Sequence, residues 1–347
     1  DHFRSPKRIE AISTVSNAVQ CKYVTSILRD LAAEQGPLGK ETAVVLTDEN
    51  LLLPLLHALP AEIGKVNVTM GYPLKQSLSY SFVERLIELQ NHARQKEGKP
   101  LFYHADVLGL LSHPYILESD TSRIVRMQEE IVRNRRITVA AEWLACTPLL
   151  ATLFRSVEGW RGFSDYLLAV IAQIARMPYE DTEARRRVEF LNVISEEVIK
   201  LRNSLDNCEI ELSISIYASL LRRHLQTLRI PYEGEPLEGI QVMGILETRN
   251  LDFRNVILLS MNDDNFPGSV VTGTSFIPYN LRAAYALPTP EHHEGVYAYY
   301  FYRLLQRAEN VRMLYCAHAD DKTTGEQSRY IYQLEYETCL LYTSDAA

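Results

Sequence analysis

This sequence predicts an α/β fold built on a parallel sheet and split by a large helical block. Three observations predict it. Short apolar runs bounded by turn residues have the length and β-branched content of buried strands: TAVVLTD (42–48), IQVMGIL (240–246), VILLSM (256–261) and VRMLYCAH (311–318). Helical patterns alternate with these runs at both ends of the chain, which is the order of a parallel α/β unit. From about 77 to 228 the pattern changes to apolar residues at i, i+3 and i+4.

In order along the chain, residues 8–35 read as a helix after a short extended entry, with Val19, Val24, Ile27, Leu28 and Leu31 near helical spacing. GPLGKE is a loop, TAVVLTD a buried strand, and ENLLLPLLHALP a helix that tolerates Pro54 in its first turns. KVNVTMGYPL reads as a further strand. The central block runs through VERLIELQNHARQ, DVLGLLSH, RIVRMQEEIVRN, EWLACTPLLATLF, FSDYLLAVIAQIARM, RRVEFLNVISEEVIKLRNSL and ISIYASLLRRHLQTL. Their unequal lengths argue for one helical domain and against a solenoid. Pro231 and EGEPLEG end it. A last helix spans Pro290 to about Ala308, with Thr289 as N-cap and Pro290 at its first position. The expected domains are 1–76 and 231–340, two parts of one α/β domain, and 77–230, an all-helical insertion.

At 347 residues, with 46% apolar and 23% charged residues, the chain suits a globular protein with more than one domain. The net charge of −8 supplies no global basic field for nucleic acid or membrane. Five scattered cysteines (21, 146, 208, 316, 339) without a CxxC argue against a disulfide framework or a zinc site and suit a reducing cytoplasm. No apolar run reaches the roughly 18 residues a spanning helix needs, so no membrane partner is expected. The chain opens inside patterned sequence without an initiator Met, and it reads as a fragment of a longer protein. The closing LYTSDAA reads as an extraneous tail, so 341–347 are expected to carry no role.

Several motifs have plain readings. GPLGKET resembles a phosphate-binding loop, but position 34 is Glu, Glu41 follows Lys40, and the segment precedes a strand where the motif opens a helix. EHHEG (291–295) lacks metal-ligand spacing and reads as an exposed first helical turn. Asn262-Asp263-Asp264 lacks the ligand alternation of a calcium loop and reads as a strand-end loop near a ligand site. Arginines at 123, 126, 133, 135 and 136, at 185–187 and at 222–223 could meet phosphates, but interleaved glutamates favour solvated helix faces.

The stretch 239–268, GIQVMGILETRNLDFRNVILLSMNDDNFPG, is more specific. It resembles motif V and the following strand of UvrD/RecB-type superfamily 1 helicases through Gln241, Val242, Met243, Leu251, Phe253, Asn262, Phe266 and Pro267. Asp252 stands for the family's acidic residue and Arg249 for its basic one. YYFYRLLQRAENVRMLYCAHAD resembles motif VI, with Gln306-Arg307-Ala308 at its core. The layout, over roughly residues 8–340, is most similar to AddB-like subunits of bacterial helicase–nucleases, the PD-(D/E)XK nuclease family proteins.

The resemblance implies a RecA-like second motor domain of a DNA double-strand-break repair and recombination protein, with the Walker A half upstream and the nuclease downstream of this chain. It implies Arg307 as an arginine finger, Asp252 and Arg307 as nucleotide contacts, and Glu247, Thr248, Arg249 and Asn250 as DNA contacts. ATP and magnesium would bind only together with the upstream half. The implied partners are DNA and an AddA-like subunit. Two positions depart from the family: Leu246 replaces a histidine and Asn250 a glycine. They favour a DNA-binding scaffold with a degenerate motor over a working ATP-driven motor, and a purely structural interaction module is the third reading.

Overall fold

The structure is a computed structural model that describes residues 2–3, 5–96, 98–177, 182–208, 211–231, 238–268, 276–319 and 324–337. The expected tail at 341–347 lies outside them. The chain divides into two compact units: residues 1–71 with 231–347, and residues 72–230.

The first unit begins with strand β1 (Arg8–Thr14), followed by helix α1 (Asn17–Gln35). The helix expected over 8–35 is thus corrected at its start. Ser16 takes extended geometry and accepts the Val19 amide, so the helix is capped there. RIEAIST before it is spent on sheet pairing. Strand β2 (Thr42–Leu46), helix α2 (Leu52–Ala58) and strand β3 (Val66–Val68) follow as expected.

The second unit opens on β4 (Tyr72–Pro73), so its boundary falls a few residues before the expected 77. Helix α3 (Leu78–Asn91), capped by Ser77, leads into β5 (Arg94–Lys96) and β6 (Lys99–Tyr103). Helices α4 (His104–Leu111), α5 (Pro114–Leu117) and α6 (Thr121–Arg133) precede β7 (Thr138–Ala140). Helices α7 (Ala141–Leu144), α8 (Pro148–Leu153), α9 (Gly159–Ala175), α10 (Thr182–Asn207) and α11 (Ile214–Thr227) complete the bundle before β8 (Arg229–Ile230).

Two expectations change here. The block is not all-helical, because β5, β6 and β7 form a three-stranded antiparallel sheet, and β4 pairs with β8. Such short strands leave no periodicity for a sequence window to find. EWLACTPLLATLF is two helices: Thr147 caps α8 at the Leu150 amide and Pro148 takes its first position, so the chain restarts after Cys146. The core is aromatic, with Trp160 stacked on Tyr217 at 5.6 Å between ring centroids. Glu84 of α3 accepts two hydrogen bonds from Arg222 Nε and one from Nη2 on α11, at 2.7–2.9 Å.

Back in the first unit, β9 (Ile240–Gly244) and β10 (Asn255–Leu259) precede α12 (Tyr279–Ala284), α13 (Pro290–Leu305), β11 (Asn310–Cys316) and α14 (Arg329–Tyr332). The sheet order is β1-β11-β10-β2-β9-β3, and each adjacent pair is parallel. TAVVLTD therefore lies between VILLSM and IQVMGIL, across almost the whole intervening chain.

Both faces of this sheet are covered, as parallel sheets require. Ala43, Val45, Val256, Leu258, Val311 and Met313 pack with Phe301, Leu304 and Leu305 of α13 and Ile331 of α14. Val44, Leu46, Val242, Ile257 and Leu259 pack with α1 and α2 through Leu28, Leu31, Leu52 and Leu55. Buried amides close the amino ends of the strands: Asn255 bonds Gln35 and Thr42, and Asn310 bonds Asn255. The carboxyl ends all emerge at the opposite edge, where open α/β sheets carry ligand loops.

Candidate functional site

The turn after β9 is held at both ends and exposed at its tip. At its start the Glu247 side chain folds over Gly244, where a Cβ would collide with the Glu247 carboxylate. The Thr248 hydroxyl donates to Ile245 O at 2.6 Å, and the Leu251 amide to Thr248 O at 3.1 Å. At the far end Phe253 is buried, and the Arg254 and Asn255 amides donate to Glu41 O at 2.9 and 3.0 Å. Between these anchors Asn250 takes φ of 60°, the left-handed region that Asn tolerates better than most side chains.

Helix α13 faces this turn. A capping box of Thr289 and His292 starts it, with His292 Nδ1 2.8 Å from the Thr289 hydroxyl and Pro290 at N1. Val296, Tyr299, Tyr300 and Arg303 recur at helical spacing on one side. Arg307 follows the helix end, and Lys7 fixes the backbone there: its ammonium donates to Gln306 O at 2.9 Å and to Ala308 O at 2.8 Å. Burial lowers the pKa of Lys7, while Glu309 partly opposes it.

Asp252 joins the two elements. Arg303 Nη1 donates to its Oδ1 at 2.6 Å and Arg307 Nη1 to its Oδ2 at 2.7 Å. Arg303 above all holds the Asp252 carboxyl below the usual carboxylate range; desolvation opposes this and Arg307 adds to it. Arg303 is the more enclosed of the two arginines, 24% exposed against 55% for Arg307. One carboxylate thus stands between two guanidiniums.

Beside this triad lies an open groove of about 600 Å³. Arg249 and Asn250 line it from the turn, and His292, Val296, Tyr299 and Tyr300 from α13. The Arg249 guanidinium lies over the Tyr300 ring, 5.7 Å from its centroid, in cation–π range. Tyr299 is 56% exposed, which leaves a ring available for stacking.

The sequence assigned Asp252 and Arg307 to a nucleotide and Arg249 and Asn250 to DNA; the structure pairs Arg307 with Asp252 and sets Arg249 and Asn250 on the groove. Thr248 joins neither. That side chain is buried and its hydroxyl is spent on Ile245, so the expectation of a DNA contact there is corrected. Glu247 is exposed, but it lies against Gly244 and does not line the groove. Arg303, Tyr299 and Tyr300 were not singled out in the sequence. The i, i+4 spacing of the two arginines in YRLLQR was the available signal.

The acidic loop after β10 serves the fold. Arg329 binds both Asp263 oxygens, at 2.9 and 2.8 Å, and Glu294 at 2.9 Å. Asp264 accepts the Thr324 amide and hydroxyl, and Asn262 bridges to the Cys316 backbone. Phe266 is buried against Tyr297, Phe301 and Tyr330. These side chains tie the loop after β10 to the segment from Thr324 to Arg329, as a strand-end loop.

The phosphate-loop look-alike is likewise internal: it runs from α1 to β2, and the Gly39 amide is already bound by the Glu41 carboxylate at 2.9 Å. Among the described residues no group of three His, Cys, Asp or Glu side chains is placed to hold a metal ion. No described helix is long and apolar enough to cross a membrane. No known protein family matches this chain, and no curated protein matches it.

Proposed function

We propose that this chain is a RecA-like, helicase-derived DNA-binding and scaffold domain of an AddB-like helicase–nuclease subunit, with the second unit as an insertion within it. One observation carries the reading. The two segments that resemble helicase motifs V and VI meet through Asp252, Arg303 and Arg307, where the chain enters β10 and β11 at the amino edge of the parallel sheet. Further support comes from Asn250, which keeps left-handed geometry where the family has glycine.

The residues fit a phosphate-bearing ligand in part. On the groove itself Arg249 supplies a cation and Tyr299 and Tyr300 supply stacking faces, the combination that single strands use, with Glu291 as a carboxylate among them; Arg303 and Arg307 stand outside the lining, paired with Asp252. A nucleotide bound with an upstream domain would gain a cation from Arg307. The amide cradle that grips its phosphates would have to come from elsewhere, because Gly39 is already engaged. A working motor is therefore the second reading, resting on the exposure of Arg307.

Anisotropy of a labelled oligodeoxythymidine of roughly 20 nucleotides, longer than such grooves cover, tests the first reading. The 347-residue chain should bind it with affinity that falls steeply between about 50 and 200 mM salt. Arg249→Ala should weaken binding and flatten the salt dependence. Absence of binding at the lowest salt overturns the DNA-binding role and leaves an interaction module.

A further inference from the structure

We propose that Asp252 is a counter-ion latch, with Arg303 as its standing partner and Arg307 as a cation held in reserve for a phosphate group. The inference rests on the phosphate-binding reading above and adds a mechanism to it. Three features carry it. First, one carboxylate is shared: each oxygen takes one arginine, so neither guanidinium has the two-pronged grip that makes such pairs strong. Second, the arginines are unequal. Arg303 sits on helix α13 and is mostly covered, whereas Arg307 lies beyond the helix end and is more than half exposed. Third, the backbone at Arg307 is fixed on both sides by Lys7, so its side chain can turn without unravelling the helix end.

Charge gives the direction of the switch. When a phosphate reaches the exposed Arg307, its charge competes with Asp252 for that cation. Arg307 can leave Asp252 because Arg303 keeps that carboxylate neutralised. Without Arg303, the carboxylate would have only Arg307 and would hold it. Arg303 is accordingly a positioning residue that never needs to touch the ligand.

The phosphate could belong to a nucleic-acid backbone or to a nucleotide, and two probes separate these sources: the oligodeoxythymidine and inorganic tripolyphosphate. Binding of each to the 347-residue chain is measured for wild type, Asp252→Asn, Arg307→Ala, Arg303→Ala and the Asp252→Asn/Arg307→Ala double variant. Asp252→Asn should tighten binding of the relevant probe by roughly two- to fivefold, the range an exposed ion pair supports. Arg307→Ala should weaken it, and the double variant should lose the gain. Arg303→Ala should weaken binding in the wild-type chain and leave it unchanged in the Asp252→Asn background, where no carboxylate is left to hold Arg307; weakening in both backgrounds would make Arg303 a contact charge and overturn its positioning role.

A gain that persists in the double variant overturns the latch, because it would be general relief of negative charge. No gain in Asp252→Asn, with wild-type binding measurable, overturns it too. If no variant binds either probe, the phosphate-binding reading itself falls and the latch with it. Hydrogen exchange of the β9 and β10 amides and thermal melts verify folding. Asp252 is a surface residue, and its isosteric amide keeps the turn's shape.

Discussion

Replacing Asn250 tests the central feature of the turn, its left-handed backbone. Asn250 has φ of 60° and a side chain exposed at the groove, so no packing is lost on substitution. Left-handed geometry costs an ordinary L-residue about 1–2 kcal/mol, and Asn lies at the low end of that range. Asn250→Ala should therefore destabilise the first unit by about 1 kcal/mol. Asn250→Gly releases the remaining strain, but the freer unfolded chain takes back roughly 0.4–1 kcal/mol, leaving a net change close to zero.

The assay must isolate one unit. Both tryptophans, Trp143 and Trp160, lie in the second unit, so their fluorescence is blind to this turn. Hydrogen exchange of the β9 and β10 amides reports on it directly. Asn250→Ala should lower their protection by about fivefold, with Asn250→Gly near wild type. Wild-type protection in the alanine variant, together with a loss above ~1 kcal/mol in the glycine variant, would refute the left-handed turn.

Three further outcomes are expected. Arg222→Ala should destabilise the second unit by about 2 kcal/mol, because Glu84 stays partly buried without its charged donor, and tryptophan-detected urea unfolding reads the loss. Burial raises the Glu84 pKa, but Arg222 and Tyr80 outweigh it and leave the pKa lowered. This stabilisation is therefore full above an unfolded value of about 4.3 and disappears as pH falls through the depressed folded value, a dependence Arg222→Ala should flatten. Trp160→Ala should cost about 3–5 kcal/mol in the same assay, since the ring is 1% exposed and stacked on Tyr217. Gly239→Ala should weaken β9 pairing by more than ~1 kcal/mol, seen in exchange at Ile240 to Val242, because its φ is 80° and a Cβ there would run into Lys65 O.

Sequence alone determined the sheet strands that are buried on both faces. TAVVL, IQVMG and NVILL are continuous apolar runs, and a run of that kind has few other ways to be satisfied. It also determined the long amphipathic helices, the Thr289–Pro290 helix start, and the association of Asp252 with Arg307, which came from the motif resemblance. Edge strand β1 and the small β5-β6-β7 sheet escaped it. Their pairing partners are remote or their runs are only three to five residues at β5–β7, and half-exposed RIEAIST imposes no strong pattern.

Tertiary structure alone decided how the polar groups are spent. Thr248 and Arg303 look equally available in the sequence, yet one hydroxyl is turned inward to Ile245 and one guanidinium is turned onto Asp252. Asp263 and Asp252 are both carboxylates at strand ends, but Arg329 occupies the first from a segment far along the chain, whereas α13 brings two arginines to the second. Apolar periodicity is written locally because each residue must find the core by its own position. The partner of a charged group depends on which distant segment the folded backbone brings within about 3 Å, and no local pattern encodes that distance.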